Sequence, residues 1–332
     1  MLAEESLPFI VYVITTFSLL ANMILIIVYF CCPLKKVKSY KYFFLFAAMQ
    51  DIIYSVSFLL SLPQVISQDY FLVFIATGVL RRRPIGLLLI SLYYGSFFVS
   101  TLIVTNSFIY RYLHLCRTEL FETLSTTRCR TLGFIINLLL MVIFFVILYV
   151  VALPSEELEY FVRNTVIISG VNINDSSFVG LAVKHSSSLD LILLANLALL
   201  VMAVAIINIF CARRIAVFLK TAALRHNTFQ RRMFTLLLLQ AGGPIFFAHV
   251  PLLFVVFLLL AGVDTTPLIT SLIDILVSSL PLFNPIIIIV FITDYRNFVL
   301  FKLRFKKRTI GSKTNPVPLG TVIKMRRATI VK

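Results

Sequence analysis

The stretch LPFIVYVITTFSLLANMILIIVYF, Leu7–Phe30, followed at once by CCPLKKVKSYK, Cys31–Lys41, decides the fold. Its first part carries no charge over 24 residues, and roughly 20 apolar residues let a helix cross the hydrocarbon core of a bilayer. Its second part crowds Lys35, Lys36, Lys38 and Lys41 against the end of the apolar run. Such crowding marks the cytoplasmic side of a span. The amino terminus is then outside, and the acidic Glu4 and Glu5 ahead of the run agree with that. They also argue against a cleaved signal peptide, which opens on basic residues, so the first span is expected to serve as its own signal anchor.

Six further runs repeat the pattern: Tyr42–Leu62, Leu87–Tyr110, Thr131–Leu153, Leu189–Cys211, Met233–Leu259 and Leu268–Phe291. Hydrophobic residues make up 60% of the chain and charged residues 13%, far from the soluble average of about 25% charged. With no water at bilayer depth, each span must satisfy its own backbone, which makes it a helix. The expectation is an all-α membrane protein, a seven-transmembrane helix bundle over residues 1–305. Phe71–Leu80 is apolar but too short to span and is expected to be an outer loop dipping into the interface. Asp294–Phe305 mixes basic and apolar residues, the composition of a short amphipathic helix lying in the membrane surface; a frayed extension of the last span is the alternative. Residues 306–332, basic and without periodicity, are expected to be a disordered cytoplasmic tail.

The net charge of +16 would suggest nucleic acid in a soluble protein. Its distribution argues instead for lipid and cytoplasmic partners, because 25 of the 30 basic residues fall on one side of the spans. Only Arg81, Arg82, Arg83, Arg163 and Lys184 fall on the other. The sequon Asn174-Asp175-Ser176 lies in the fourth-to-fifth gap, which this topology puts outside, so Asn174 is a candidate glycosylation site. All five cysteines (Cys31, Cys32, Cys116, Cys129 and Cys211) lie at cytoplasmic ends of spans, where thiols stay reduced.

No catalytic constellation, phosphate loop or metal-ligand spacing is visible, so neither an enzyme, a cofactor nor a metal is expected. Ionisable residues inside spans are costly and mark function or internal pairing. Asp51 lies about 14 Å into the second span at roughly 1.5 Å per residue. Asn22 of the first span and Asn284-Pro285 of the seventh fall at similar depth, a central polar cluster. Asp51 would be protonated there, or paired with polar side chains, water or a small cation; a plain packing knot is the bland alternative. Arg111 ends the third predicted span, before Tyr112, and either snorkels or faces the bundle and a cytoplasmic partner. If it faces inward, Tyr93, about five turns higher at 3.6 residues per turn, does so too. Tyr93, Tyr94, Asp274 and His249 are the ligand-pocket candidates, against the commoner reading of such residues as core. Pro244 and Pro251 should kink the sixth span. Arg81-Arg82-Arg83 is expected to pair across the outer surface with Glu156, Glu157 and Glu159, an anionic ligand being the alternative.

Several blocks, in order, resemble nematode serpentine chemoreceptors of the Str superfamily. They are Tyr40-Lys41-Tyr42, then Phe108-Ile109-Tyr110-Arg111-Tyr112 with Cys116-Arg117, then QRRMFTLLLLQ (Gln230–Gln240) leading into Pro244 and Pro251, then Asn284-Pro285-Ile286-Ile287-Ile288 and Asp294-Tyr295-Arg296. The resemblance implies a chemosensory receptor coupled to a heterotrimeric G protein, in sensory neurons and often at their cilia, with a small-molecule ligand. It gives Arg111 and Tyr112 the place of the G-protein-coupling arginine motif, and Asn22, Asp51 and Asn284-Pro285 that of the central polar cluster. The chain also departs from the wider rhodopsin-like pattern. Tyr110 replaces the acid before Arg111, so the resting state must be held by something else. The outer side has no cysteine, which leaves the long fourth-to-fifth loop without a disulfide and expected to be less constrained. An inverted seven-helix channel would need the opposite orientation, and a transporter of duplicated halves would need an internal repeat that is not seen.

Overall fold

A computed structural model describes residues 2–32, 41–124, 126–152, 155–166, 173–182, 188–220 and 228–302. Seven helices are long and apolar enough to cross a membrane. They are α1 (Leu2–Cys31), α2 (Lys41–Ser61), α3 (Ile85–Cys116), α5 (Thr127–Ala152), α7 (Ser188–Lys220), the composite α8–α9 and α10 (Pro267–Phe291). Two short helices, α4 (Thr118–Leu124) and α6 (Glu156–Thr165), lie in the gaps flanking α5. The composite is α8 (Thr228–Pro244), a π-helical turn over Ile245–His249, and α9 (Val250–Ala261). A last helix, α11, covers Thr293–Lys302. Met1–Arg296 forms one compact unit and Asn297–Lys332 a second. Lys35, Lys36 and Lys38, Lys184, Arg225 and the tail from Leu303 lie outside the described residues.

Within the first unit, α1 packs on α2 and α10, α2 on α3, and α3 on α7 and α8. The bundle is sorted by polarity in the sense a bilayer demands. Phe17, Met23, Ile27, Phe134, Leu139 and Leu253 point outward, exposed, while Ser18, Asn22, Ser55 and Ser57 face inward, buried. Without water as a driving force, interhelical hydrogen bonds and close packing of small residues hold such bundles. The pair Asn106–Asn137 is one bond of this kind, the Asn106 amide donating to Asn137 Oδ1 across 2.8 Å between α3 and α5.

The structure corrects the third span. α3 continues to Cys116, past the predicted end at Tyr110, because Arg111–Cys116 contains no glycine or proline to stop it. Arg111 is therefore inside a helix, at 4% exposure, and does not snorkel. His114 sits in the last turn of α3 with its ring 5.2 Å from Phe121.

At the end that the charge bias assigns to the outside, a three-stranded antiparallel sheet covers the bundle. β1 (Pro63–Gln68) and β2 (Phe71–Ala76) form a hairpin, and β3 (Phe178–Ala182) adds to β2 from the fourth-to-fifth loop. The segment expected to be an irregular apolar loop is strand β2. It is apolar on both faces because one packs on the bundle and the other under α6. Asp69 and Tyr70 both have positive φ, 50° and 65°, as a two-residue hairpin turn of the right twist requires. The hairpin edge is tied to the loop before α10 and to that helix's first turn: Thr265 N donates to Ser67 O at 2.8 Å, and Thr270 Oγ1 to Val65 O at 3.0 Å. Gly262, at φ 67°, ends α9 as a left-handed cap. A Cβ there would stand 2.7 Å from the Tyr70 hydroxyl.

The long loop is not left loose by its missing disulfide. Ser155 caps α6 by accepting from Leu158 N, and Leu158, Phe161 and Val162 bury against Val73, Ile75 and Phe178. Phe71 stacks on Phe161 at 4.2 Å. Strand pairing and this small core do the work a disulfide would. The expected pairing of the outer arginines with the Glu156–Glu159 cluster is also revised. Arg82 pairs with Asp175 at 3.6 Å, Arg83 lies over the Phe178 ring, and Glu159 is engaged by Arg163 one turn along α6.

Candidate functional site: three polar layers through the bundle

At the cytoplasmic end, Arg111 Nη2 donates to Gln230 O at 2.5 Å and to Gln230 Oε1 at 3.1 Å. The contact joins α3 to the first turn of α8. Tyr112 turns the other way, 5.8 Å from the Phe210 ring on α7, half-buried in a cluster with Cys211 and Ile215. Neighbouring residues of one motif thus contact different helices, as a 100° step per residue dictates. Near this end, burial and the charge of Asp294 raise the Cys32 thiol above its ordinary range, which keeps it protonated.

In the middle layer, Asp51 is 3% exposed and its Oδ2 accepts from Asn284 Nδ2 at 2.9 Å. Asn284 Oδ1 in turn accepts from Gln240 Nε2 at 3.2 Å. One chain of side chains therefore links α2, α10 and α8. Asn22 lies in the same layer but does not bond Asp51. Its amide donates to Ser18 O and, across 2.8 Å, to Pro281 O on α10. The link from α1 to Asp51 runs through Ser18, 2.9 Å from Ser55 Oγ, which donates to Asp51 O. Pro285 and Pro281 both stand inside α10. A proline removes the N–H that would bond the carbonyl four residues back, here Pro281 O and Val277 O. Asn22 takes the first, and Tyr54 Oη donates to the second at 3.0 Å. A narrow crevice borders this layer, lined by Gln50, Ser100, Ser107, Gln240 and Asn284.

In the outer layer, Tyr93 packs against Tyr54 at 5.1 Å, Phe58 at 5.5 Å and Tyr94 at 5.0 Å. Tyr94 meets Phe74 of β2 at 5.0 Å. Phe97, one turn below Tyr93, is 4.9 Å from the His249 ring. His249 Nδ1 lies 2.9 Å from Pro244 O; since a carbonyl only accepts, that nitrogen donates. The histidine thus braces the π turn that Pro244 and Pro251 bracket. Asp274 is buried on α10 facing this layer, at 9% exposure. Asn174 falls on a 3₁₀ turn, Ile173–Asp175, in the outer loop.

The comparison with protein families matches this arrangement. A family model described as serpentine type 7TM GPCR chemoreceptor Str covers residues 7–300. The chain belongs to that family. No curated protein matches it.

In this Str receptor the sequence-predicted residues are brought into three separate layers rather than one site. Reading residue types alone assigned no role to Tyr54 and Gln50, or to Gln230 and Gln240 at the two ends of the QRRMFTLLLLQ block. A signal for Tyr54 was nonetheless present: every intramembrane proline frees a carbonyl that needs a donor. Among the described residues no group of three His, Cys, Asp or Glu can hold a metal ion.

Proposed function

We propose that this Str receptor is a chemosensory receptor of the plasma membrane, at the cilia of sensory neurons. It takes a small-molecule cue between the outer halves of α2, α3, α9 and α10 and activates a heterotrimeric G protein. The observation that carries the reading is Arg111, buried in α3 and held by Gln230 on α8. A buried guanidinium whose hydrogen bonds to another helix run to a neutral residue can exchange them for a new acceptor. Release of that contact separates the cytoplasmic ends of α3 and α8, the opening through which a G protein would engage. The outer and cytoplasmic layers are joined by the Asp51–Asn284–Gln240 chain and by the π turn of α8–α9. The cue shifts the receptor only by favouring the released state over the held one. The basic cytoplasmic gaps and α11 would meet the anionic inner leaflet.

Arg111→Ala tests this. The variant should reach the cell surface at the wild-type level and fail to drive nucleotide exchange on co-expressed G protein across an odorant panel that activates the wild type. Normal exchange from a well-displayed variant would reject the role of Arg111.

A further inference from the structure

Asp274 is the outer-layer residue that packing does not explain. It is more than nine-tenths buried, and among the described residues neither a hydrogen bond nor an ion pair reaches its carboxylate. Asp51, the other carboxylate at bilayer depth, has Asn284. A buried carboxylate without a partner is among the most costly features a membrane helix can carry. Of the basic residues at this end, Arg82 pairs with Asp175, Arg163 with Glu159, and Arg83 lies over the Phe178 ring.

The surroundings of Asp274 define what would complete it. The hydroxyls of Tyr93 and Tyr94 lie within electrostatic range of its charge. Tyr94 Oη is itself buried and has no hydrogen-bond partner among the described residues. Aromatic rings surround the two tyrosines: Tyr54 and Phe58 tilted against Tyr93, Phe74 edge-to-face with Tyr94, and Phe97 packed on the same cluster. Aromatic faces are negative and attract a cation, so they repel an anion as the carboxylate does. A hard metal ion would want six or more oxygens, and among the described residues no group of three His, Cys, Asp or Glu gathers to hold one. One turn above, Thr270 is tied to β1 of the covering hairpin, which limits the space to a small molecule.

We infer that the cue of this Str receptor is a small organic ammonium, with its charged nitrogen on Asp274 and its apolar body among the tyrosine and phenylalanine rings. The inference rests on the outer layer being the cue site, as proposed above. The ammonium supplies the missing counter-charge to Asp274, and its substituents replace ring–ring contacts with cation–ring contacts. The Tyr94 hydroxyl, buried and without a hydrogen-bond partner among the described residues, would accept an N–H from it. A neutral molecule of the same shape would leave the carboxylate as it is and gain only the apolar contacts.

The test uses the purified full-length receptor and thermal unfolding, since a ligand bound only by the folded state raises Tm. The probes are 2-phenylethylamine, cyclohexylamine and tetramethylammonium, each against a neutral partner of like size: 2-phenylethanol, cyclohexanol and tert-butanol. At least one amine should raise Tm and its neutral partner should not. Asp274→Asn should unfold no earlier than the wild type without ligand, because it removes an unpaired charge, and should lose the amine response. Tyr94→Phe keeps the ring and should weaken the amine at least threefold, which provides a second reading should Asp274→Asn fail to fold. The inference is overturned if none of the amines raises Tm, if the alcohols match them, or if Asp274→Asn responds as the wild type does. A receptor that is activated by 2-phenylethanol and silenced by Arg111→Ala would keep the chemoreceptor reading and lose the amine.

Discussion

Val277 and Pro281 show how single residues settle the bundle. Each carbonyl lies four residues before a proline and so lacks its helical donor. At bilayer depth an unsatisfied backbone carbonyl has no water to turn to. Tyr54 and Asn22, from two different helices, supply the donors. Tyr54→Phe keeps the ring and deletes the donor. It should cost about 1–3 kcal/mol, the cost of a buried group left unpaired. The measurement is thermal or denaturant unfolding of purified receptor, and an unchanged midpoint would mean that Val277 O finds another donor. The prolines and Asn22 were legible from the sequence as polar or irregular positions in apolar runs. Their pairing was not, because Asn22 and Pro281 stand 259 residues apart. That Asn22 shares the layer of Asp51 without bonding it was hidden for the same reason. Depth along two helices can be counted from sequence, but the rotation of one against the other cannot.

Among elements, α8–α9 is the natural moving part. Its cytoplasmic turn carries Gln230, its middle carries Gln240 on Asn284, and its centre is a π turn. Such turns recur at functional sites because the ladder there is already interrupted. The two prolines announced an interruption in the sequence. That it takes the form of one wide turn braced by His249 follows from packing against α3, where Phe97 supports the imidazole. Gln230→Ala removes the side-chain half of the hold on Arg111 and leaves the backbone half. With hydrogen bonds to charged groups worth about 1.5–3 kcal/mol, ligand-free nucleotide exchange should rise by up to about tenfold. Membranes carrying the variant and a G protein provide the measurement. Basal exchange at the wild-type level would mean that the backbone contact alone holds the resting state. The Arg111 hold was half legible: Tyr110 in place of an acid called for a different partner, and nothing local pointed to Gln230.

For the whole molecule, the charge bias predicts an outer amino terminus and a cytoplasmic carboxyl terminus. Tags at the two ends, probed by antibody in intact and then permeabilised cells, check it. Amino-terminal labelling should precede permeabilisation and carboxyl-terminal labelling should require it. The reverse pattern would overturn the charge argument and favour a channel of inverted topology. The seven spans and the membrane class were legible because apolar length and charge placement are local properties that no tertiary contact can undo. The outer sheet was not. β2 reads as an apolar loop until β1 and β3 pair with it, and β3 comes from more than 100 residues away. The same division holds throughout the molecule. The chain's own order of apolar runs, prolines and basic gaps determined how many helices form and roughly where each begins and ends, since a span must satisfy its backbone by itself. Only the tertiary structure decided which polar side chain meets which: Arg111 with Gln230, Asp51 with Asn284, and Asp274 with no partner among the described residues. Those meetings depend on how helices distant in sequence rotate and tilt against one another.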